Sequence, residues 1–228
     1  MKKIREMENI MQDLLFDIMV RAIVLFTAIP VHEAAHGWLA YKMGDPTAKY
    51  NGRLTLNPFA HFDKVGTISL LLFGIGWARP VPVNANNFKN PKWGMCLTAL
   101  AGPVSNILMA YISLILAKIF LYAGGATLAV PTFETLFIIF RSMAFTNIAL
   151  AIFNLLPLPP FDGSRIFGVF LPAKWYFKIM QYERYIFIGI MICLFTGILS
   201  LPLSIFQSML FNVLNKGSLF VEMLFGLI

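Results

Sequence analysis

Charged residues are what this sequence has least of. Asp, Glu, Lys and Arg make up 13% of its 228 residues, against about 25% in an ordinary soluble domain. Hydrophobic residues fill the difference at 58%, above the roughly 45–50% of soluble chains. A water-facing surface cannot be built from that ratio, so a soluble globular domain is excluded and a membrane protein is expected. Cysteine is almost absent: Cys96 and Cys193 are the only two, both inside apolar runs. That excludes a disulfide framework and a cysteine pair for a metal. Internal repeats and low-complexity tracts are lacking too.

Acidic residues are few as well, 11 against 18 Lys and Arg, for a net charge of +7. In a soluble protein that excess points to nucleic acid. In a membrane protein the same cations collect in cytoplasmic loops, so no nucleic-acid partner is expected. The N-terminus, MKKIRE followed by an apolar run from Leu14, imitates a signal peptide. Asp17 and Arg21 interrupt that run and no small-residue cleavage site follows, so the segment is expected to be retained.

Crossing about 30 Å of hydrocarbon takes about 20 apolar residues. Leu14–Tyr41, Trp93–Tyr122 and Phe133–Leu156 meet that length. Tyr185–Leu214 is one tilted helix or two pieces broken near Pro202. Val65–Trp77 is too short to cross and is expected to dip into the membrane and return on the same side. Phe161–Lys178 mixes Arg165, Lys174 and Lys178 with aromatics and is expected along the interface. Lys and Arg crowd the stretches Lys42–Lys92 and Arg165–Arg184 and are missing from Ala123–Thr132. The first two therefore face the cytoplasm and the third the outside. Lys2, Lys3 and Arg5 conflict with that assignment, which leaves the side of the N-terminus open.

Within the first span stands IPVHEAAHGWLAYKMGD, residues 29–45. His32 and His36 are four residues apart, which on a helix places both imidazoles on one face within reach of one cation. Glu33, beside the first histidine, can touch a water on that cation without ligating it. This is the H-E-x-x-H pattern of zinc hydrolases, in which the carboxylate takes a proton from water and passes it to the leaving amine. The bland alternative is a histidine pair satisfied in a core. Placement weighs against it: a charged group inside a membrane costs about 2.5–3.5 kcal/mol on insertion scales. Three polar groups in five residues need a return, which a metal supplies.

Zinc takes a third protein ligand and keeps a fourth position for water. The candidates are His61, Asp45, Asp63 and Asp162. Asp162 ends the apolar run FIIFRSMAFTNIALAIFNLLPLPP, at a depth similar to that of His36. Pro157, Pro159 and Pro160 break the helix there, and Gly163 allows close approach. Asp45 and Asp63 lie in polar loops and suit turns or caps. Asp162 is the favoured ligand and His61 a loop residue. Arg141, in the third long span, snorkels outward or pairs with Glu134.

With HEAAH, AGPVSN and NLLPLPPFDG on the page, the chain resembles the site-2 protease family of intramembrane zinc metalloproteases, closest to its compact prokaryotic branch. The likeness covers roughly residues 25 to 170, and GDPTAKYNGRLTLNP and ARPVPVN extend it. It departs at Phe161, where the family usually has Leu. The resemblance implies one Zn2+ per chain, with His32, His36 and Asp162 as ligands and Glu33 as the catalytic base. It further implies that Asn106 approaches the substrate carbonyl in the cleft and that Asn154 lies on the stretch leading to the aspartate. For both asparagines the plain alternative is hydrogen bonding between helices.

The fold expected is an all-α multi-pass membrane bundle with a small membrane-associated β element near the active site. RLTLN, residues 53–57, alternates like a strand, and RPVPVN, residues 79–84, reads as an edge strand whose prolines suit an edge. An edge there would receive an unwound substrate. One domain, 1–228, is expected, with a core of roughly 14–170 and C-terminal membrane helices at 185–214. The expected function is cleavage of a transmembrane protein substrate in the cell membrane, in regulated intramembrane proteolysis, with the active site toward the cytoplasm. A zinc-handling transporter or sensor is the alternative, disfavoured by Glu33 and by the lack of repeat-related broken helices. An inactive scaffold is disfavoured by the intact HEAAH and FDG. Substrate identity and oligomeric state are not legible.

Overall fold

The structure is a computed structural model and describes residues 2–73, 76–124 and 131–227. Two helices, α1 (Lys2–Phe26) and α2 (Ala28–Lys42), run nearly end to end. Together they supply a membrane span from Leu14 to Lys42. The break between them has a local cause. Pro30 has no N–H to donate and its ring meets the carbonyl four residues back, at Phe26. Thr27 Oγ1 donates instead to the Ile23 carbonyl at 2.6 Å.

A short helix, α3 (Thr47–Tyr50), leads into an irregular loop and then α4 (Lys64–Phe73). At ten residues α4 reaches about 15 Å, half of the hydrocarbon. The chain then comes back: Phe62 and Ala78 form an antiparallel bridge, and the Arg79 N–H donates to the His61 carbonyl at 2.9 Å. Gly66 and Trp77 are so close that a Cβ on Gly66 would sit 2.1 Å from the Trp77 carbonyl oxygen. The two limbs thus run side by side, and α4 is too short to cross a membrane alone.

Two long helices follow, α5 (Pro91–Gly124) and α6 (Pro131–Asn154). With the first span they are the three described helices long and apolar enough to cross a membrane. Helix α5 is the hub, packed against α2, α6 and the short α7 (Asp162–Gly168). Many of its buried positions are small, among them Gly94, Ala99, Gly102, Ala110, Ser113 and Ala117, and α6 buries Ala144 and Ala151 and α2 Ala28 and Ala40. Between helices in lipid, such residues let backbones approach and gain dispersion contact. Arg141 makes no ion pair with Glu134 among the described residues; its guanidinium lies over the rings of Phe137 and Phe145.

The amphipathic α8 (Ala173–Gln181), with Lys174, Trp175 and Lys178 on it, precedes α9 (Glu183–Phe195) and α10 (Ser200–Gly217). The last two meet at 85° and count as one bent pair. The break lies at Gly197, which takes φ +76°, a left-handed conformation that glycine adopts freely. This is near Pro202, as expected, and the proline itself sits just beyond the break in the first turn of α10, where it costs no hydrogen bond. A final turn, α11 (Phe220–Leu224), returns to α5: Lys118 and Glu222 pair at 2.8 Å.

One expectation needs correction. Among the described residues neither 53–57 nor 79–84 forms a strand; the isolated Phe62–Ala78 bridge is all that joins the two limbs as sheet. The reason lies in the side chains. Pro80 and Pro82 cannot donate to a ladder. Buried Arg53 does the strand's work from the side, its Nη2 donating to the Arg79 carbonyl. Residues 79–84 are anchored by single hydrogen bonds to His61, Arg53, Glu33 and Asp45 and form no ladder.

Candidate metal centre

Helix periodicity delivers the first part of the site. His32 and His36 lie one turn apart on α2, both buried, with Nε2 atoms 3.0 Å apart. The second part arrives from α6 by way of a tight turn, 155–161, which contains the cis peptide Pro159–Pro160. The turn places Asp162 at the start of α7. Its Oδ2 lies 3.3 Å from His32 Nε2 and 3.2 Å from His36 Nε2. Gly163 is why the turn closes so tightly, since a Cβ there would stand 2.2 Å from the Leu156 carbonyl oxygen.

Those three separations test the fit of a metal. Zinc bonded at about 2.0–2.1 Å in tetrahedral geometry holds its ligand atoms about 3.3–3.4 Å apart. The triangle of 3.0, 3.2 and 3.3 Å matches that edge. Two nitrogens and a carboxylate oxygen form a donor set zinc accepts, and three such ligands leave a position for water. Buried Asp162 Oδ2 makes no hydrogen bond, so an ion among the three atoms satisfies a group otherwise left unpaired. Burial pushes the Asp162 carboxyl up, and the two imidazoles pull it down further, well below the usual carboxylate range.

The surroundings orient this set. His36 Nδ1 lies 2.7 Å from the Thr98 carbonyl, so it carries the proton and leaves Nε2 free to ligate. Gly102 of α5 faces both rings; a Cβ on it would fall 2.4 Å from His36 Nε2 and 2.5 Å from His32 Cε1. Sequence reasoning missed Gly102, although its place four residues before Asn106 sets both on one face of α5. Thr98 and Arg53 were missed as well, because a main-chain acceptor and a cation supporting a carbonyl have no motif.

Glu33 Oε2 accepts the Val81 N–H at 3.0 Å. This carboxylate therefore stands between the imidazoles and the segment 79–84. His32, Glu33, His36, Val81, Thr98 and Asp162 line one cavity of about 720 Å3, whose walls include Ile29, Leu150 and Phe153 from the spans and Phe187 from α9. Asn106 is buried on that wall, and neither amide atom has a hydrogen-bond partner. Asn154 lines it too, its Nδ2 donating to the Leu150 carbonyl at 3.0 Å.

The other candidates lie elsewhere. Asp45 is buried and accepts from Thr47, Asn84 and Asn87. Asp63 accepts the Gly66 N–H at 2.8 Å. Both are turn and cap residues. His61 is buried beneath the re-entrant limbs, with Nε2 2.9 Å from the Thr55 carbonyl. Among the described residues, His32, His36 and Asp162 form the one cluster able to hold a metal.

Comparison with known proteins points to zinc as the metal. The profile described as "Peptidase family M50" matches residues 129–198. A Bacillus subtilis (strain 168) protein described as "Putative zinc metalloprotease YwhC" is 42% identical over 195 residues, 86% of this chain and 85% of its own length. A Mycolicibacterium smegmatis (strain ATCC 700084 / mc(2)155) protein described as "Putative zinc metalloprotease Rip2" is 25% identical over 138 residues, 58% of this chain and 50% of its own. No solved structure gives a significant match.

Proposed function

The chain belongs to peptidase family M50 and is a zinc metalloprotease, and on that premise we propose that it cuts a peptide bond within or beside a transmembrane segment of another membrane protein. The observation that carries this reading is the convergence of His32, His36 and Asp162 in a cavity walled by the apolar spans, with Glu33 beside them.

A transmembrane helix hides its peptide bonds, because each carbonyl is already bonded within the helix. The substrate has to be held locally extended. Residues 79–84 suit that task without being a strand. Among the described residues the Val83 N–H and the carbonyls of 80–83 make no hydrogen bond. They are available to an added chain, which gains main-chain bonds in place of its helical ones.

His32, His36 and Asp162 would hold the zinc. When bound, the ion supplies Lewis acidity and lowers the pKa of water to near neutrality. Glu33 takes a proton from the attacking water at a carboxylate oxygen and delivers it to the leaving amine. Its Oε2 is held by Val81, which leaves Oε1 to face the reacting atoms. The free amide of Asn106 steadies the substrate carbonyl as negative charge develops on it. Asn154, with its Nδ2 engaged, presents its oxygen to the cleft as a substrate contact. The apolar part of the wall, Ile29, Leu150, Phe153 and Phe187, favours an apolar substrate segment.

The cluster of His32, His36 and Asp162 lies at the end of the bundle that carries the cation-rich stretches Lys42–Lys92 and Arg165–Arg184. That supports a cytoplasmic active site; the family likeness is what supports a role in regulated intramembrane proteolysis. The test is a purified, lipid-reconstituted enzyme with a tagged transmembrane substrate. Wild type releases a shortened product and Glu33→Gln does not. Cleavage by wild type only of soluble, unstructured peptides would overturn the intramembrane reading.

A further inference from the structure

Arg21 is the charge that interrupts the first apolar run, and the metal site does not use it. An arginine within a membrane helix is expensive and calls for a partner. The structure shows one far away in sequence. Arg21 Nη1 donates to the Leu71 carbonyl at 3.0 Å and to the Leu72 carbonyl at 3.2 Å. Asp17, one turn earlier on α1, lies 3.6 Å from Arg21 Nη2.

Leu71 and Leu72 are in the last turn of α4, the re-entrant helix. The last carbonyls of any helix lack partners within it, and in hydrocarbon no water serves them. The helix C-terminus is also its negative end, which a cation complements. Arg21 thus answers two needs at once: its own burial in the membrane, and the bare carbonyls of a helix that ends there.

The geometry has a reach beyond α4. The return limb 76–83 packs against α4 at Gly66, lines the cleft, and meets Glu33 through the Val81 N–H. Helices α1 and α2 form one span. The re-entrant hairpin is therefore fastened to that span twice, at its tip by Arg21 and at its base by Glu33. We propose that Arg21 is a positioning residue: it clamps the tip of the re-entrant hairpin so that the wall 76–83 stays in register with the metal site. The effect on cleavage rests on the reading that 79–84 seats the substrate.

The test uses the full-length, zinc-loaded protein in liposomes. Arg21→Met removes the donors and the charge while keeping an apolar stem at home in lipid, so insertion is not threatened. Arg21→Lys keeps a cation able to reach a carbonyl. A reporter thiol, Ala78→Cys in a Cys96→Ala/Cys193→Ala background, reads the wall without any substrate. Arg21→Met is expected to keep its zinc, to label at residue 78 about tenfold faster, to raise KM about fivefold, and to lower kcat by a smaller factor because the Val81 N–H also holds Glu33; Arg21→Lys recovers most of these effects. An unchanged labelling rate overturns the clamp whatever happens to cleavage. Loss of zinc in Arg21→Met also overturns it, because Arg21 would then support the fold at large. Faster labelling with an unchanged KM upholds the clamp and overturns instead the seat of the substrate at 79–84.

Discussion

Glu33 and Val81, 48 residues apart, are joined by a 3.0 Å hydrogen bond from the Val81 N–H to the Glu33 carboxylate. The group assigned to proton transfer and the segment assigned to holding the substrate are thereby one mechanical unit. A shift of the segment moves the base.

Glu33→Gln keeps the size and the acceptor for Val81 but cannot accept a proton. Zinc content is expected to stay at one per chain while cleavage falls by at least about 100-fold. Elemental analysis beside product formation checks both. Retained cleavage would remove Glu33 from the reaction.

His36→Ala and Asp162→Ala each take away one corner of a triangle whose edges are 3.0, 3.2 and 3.3 Å. Both are expected to purify without stoichiometric metal and without activity. The same loss is expected when wild type is treated with a chelator, with recovery on adding zinc.

Gly102→Ala probes the ceiling over the imidazoles. A methyl group there would fall 2.4 Å from His36 Nε2, so a ring must turn or α5 must withdraw. Zinc affinity is expected to drop about 10- to 100-fold, measured by competition with a chromogenic chelator. Unchanged affinity would mean that α5 yields easily.

Asp45 gives a pH signature. Burial raises its carboxyl, but hydrogen bonds from Thr47, Asn87 and Asn84 outweigh that and hold it below the ordinary value. A depressed folded pKa gives stability that is fully present above the unfolded value, about 3.9, and is lost as pH falls through the folded value. Thermal unfolding is expected to weaken below about pH 4 in wild type, and Asp45→Asn to be less stable at neutral pH with a flatter acid limb.

Much of this site is legible in the sequence because it follows from local periodicity. The four-residue spacing of His32 and His36 sets both on one helix face, and matching depth picks out Asp162. What was not legible depends on which element lies opposite. Gly102 acquires its role only once α5 crosses α2, and Arg21 reads as a flaw in an apolar run until α4 ends beside it. The strand expectation failed where two prolines removed donors and the Arg53 side chain took the place of a neighbouring strand. The break expected near Pro202 falls at Gly197, and the proline is accommodated in the first turn that follows, where its missing N–H costs nothing.

The ion pair between Lys118 and Glu222 carries a consequence for biosynthesis. Its halves are 104 residues apart, and translation adds about 5–20 residues per second. Lys118 accordingly waits about 5–20 s on a nascent chain before its carboxylate exists. Until Glu222 is made and α11 docks on α5, that end of the bundle lacks its ion pair.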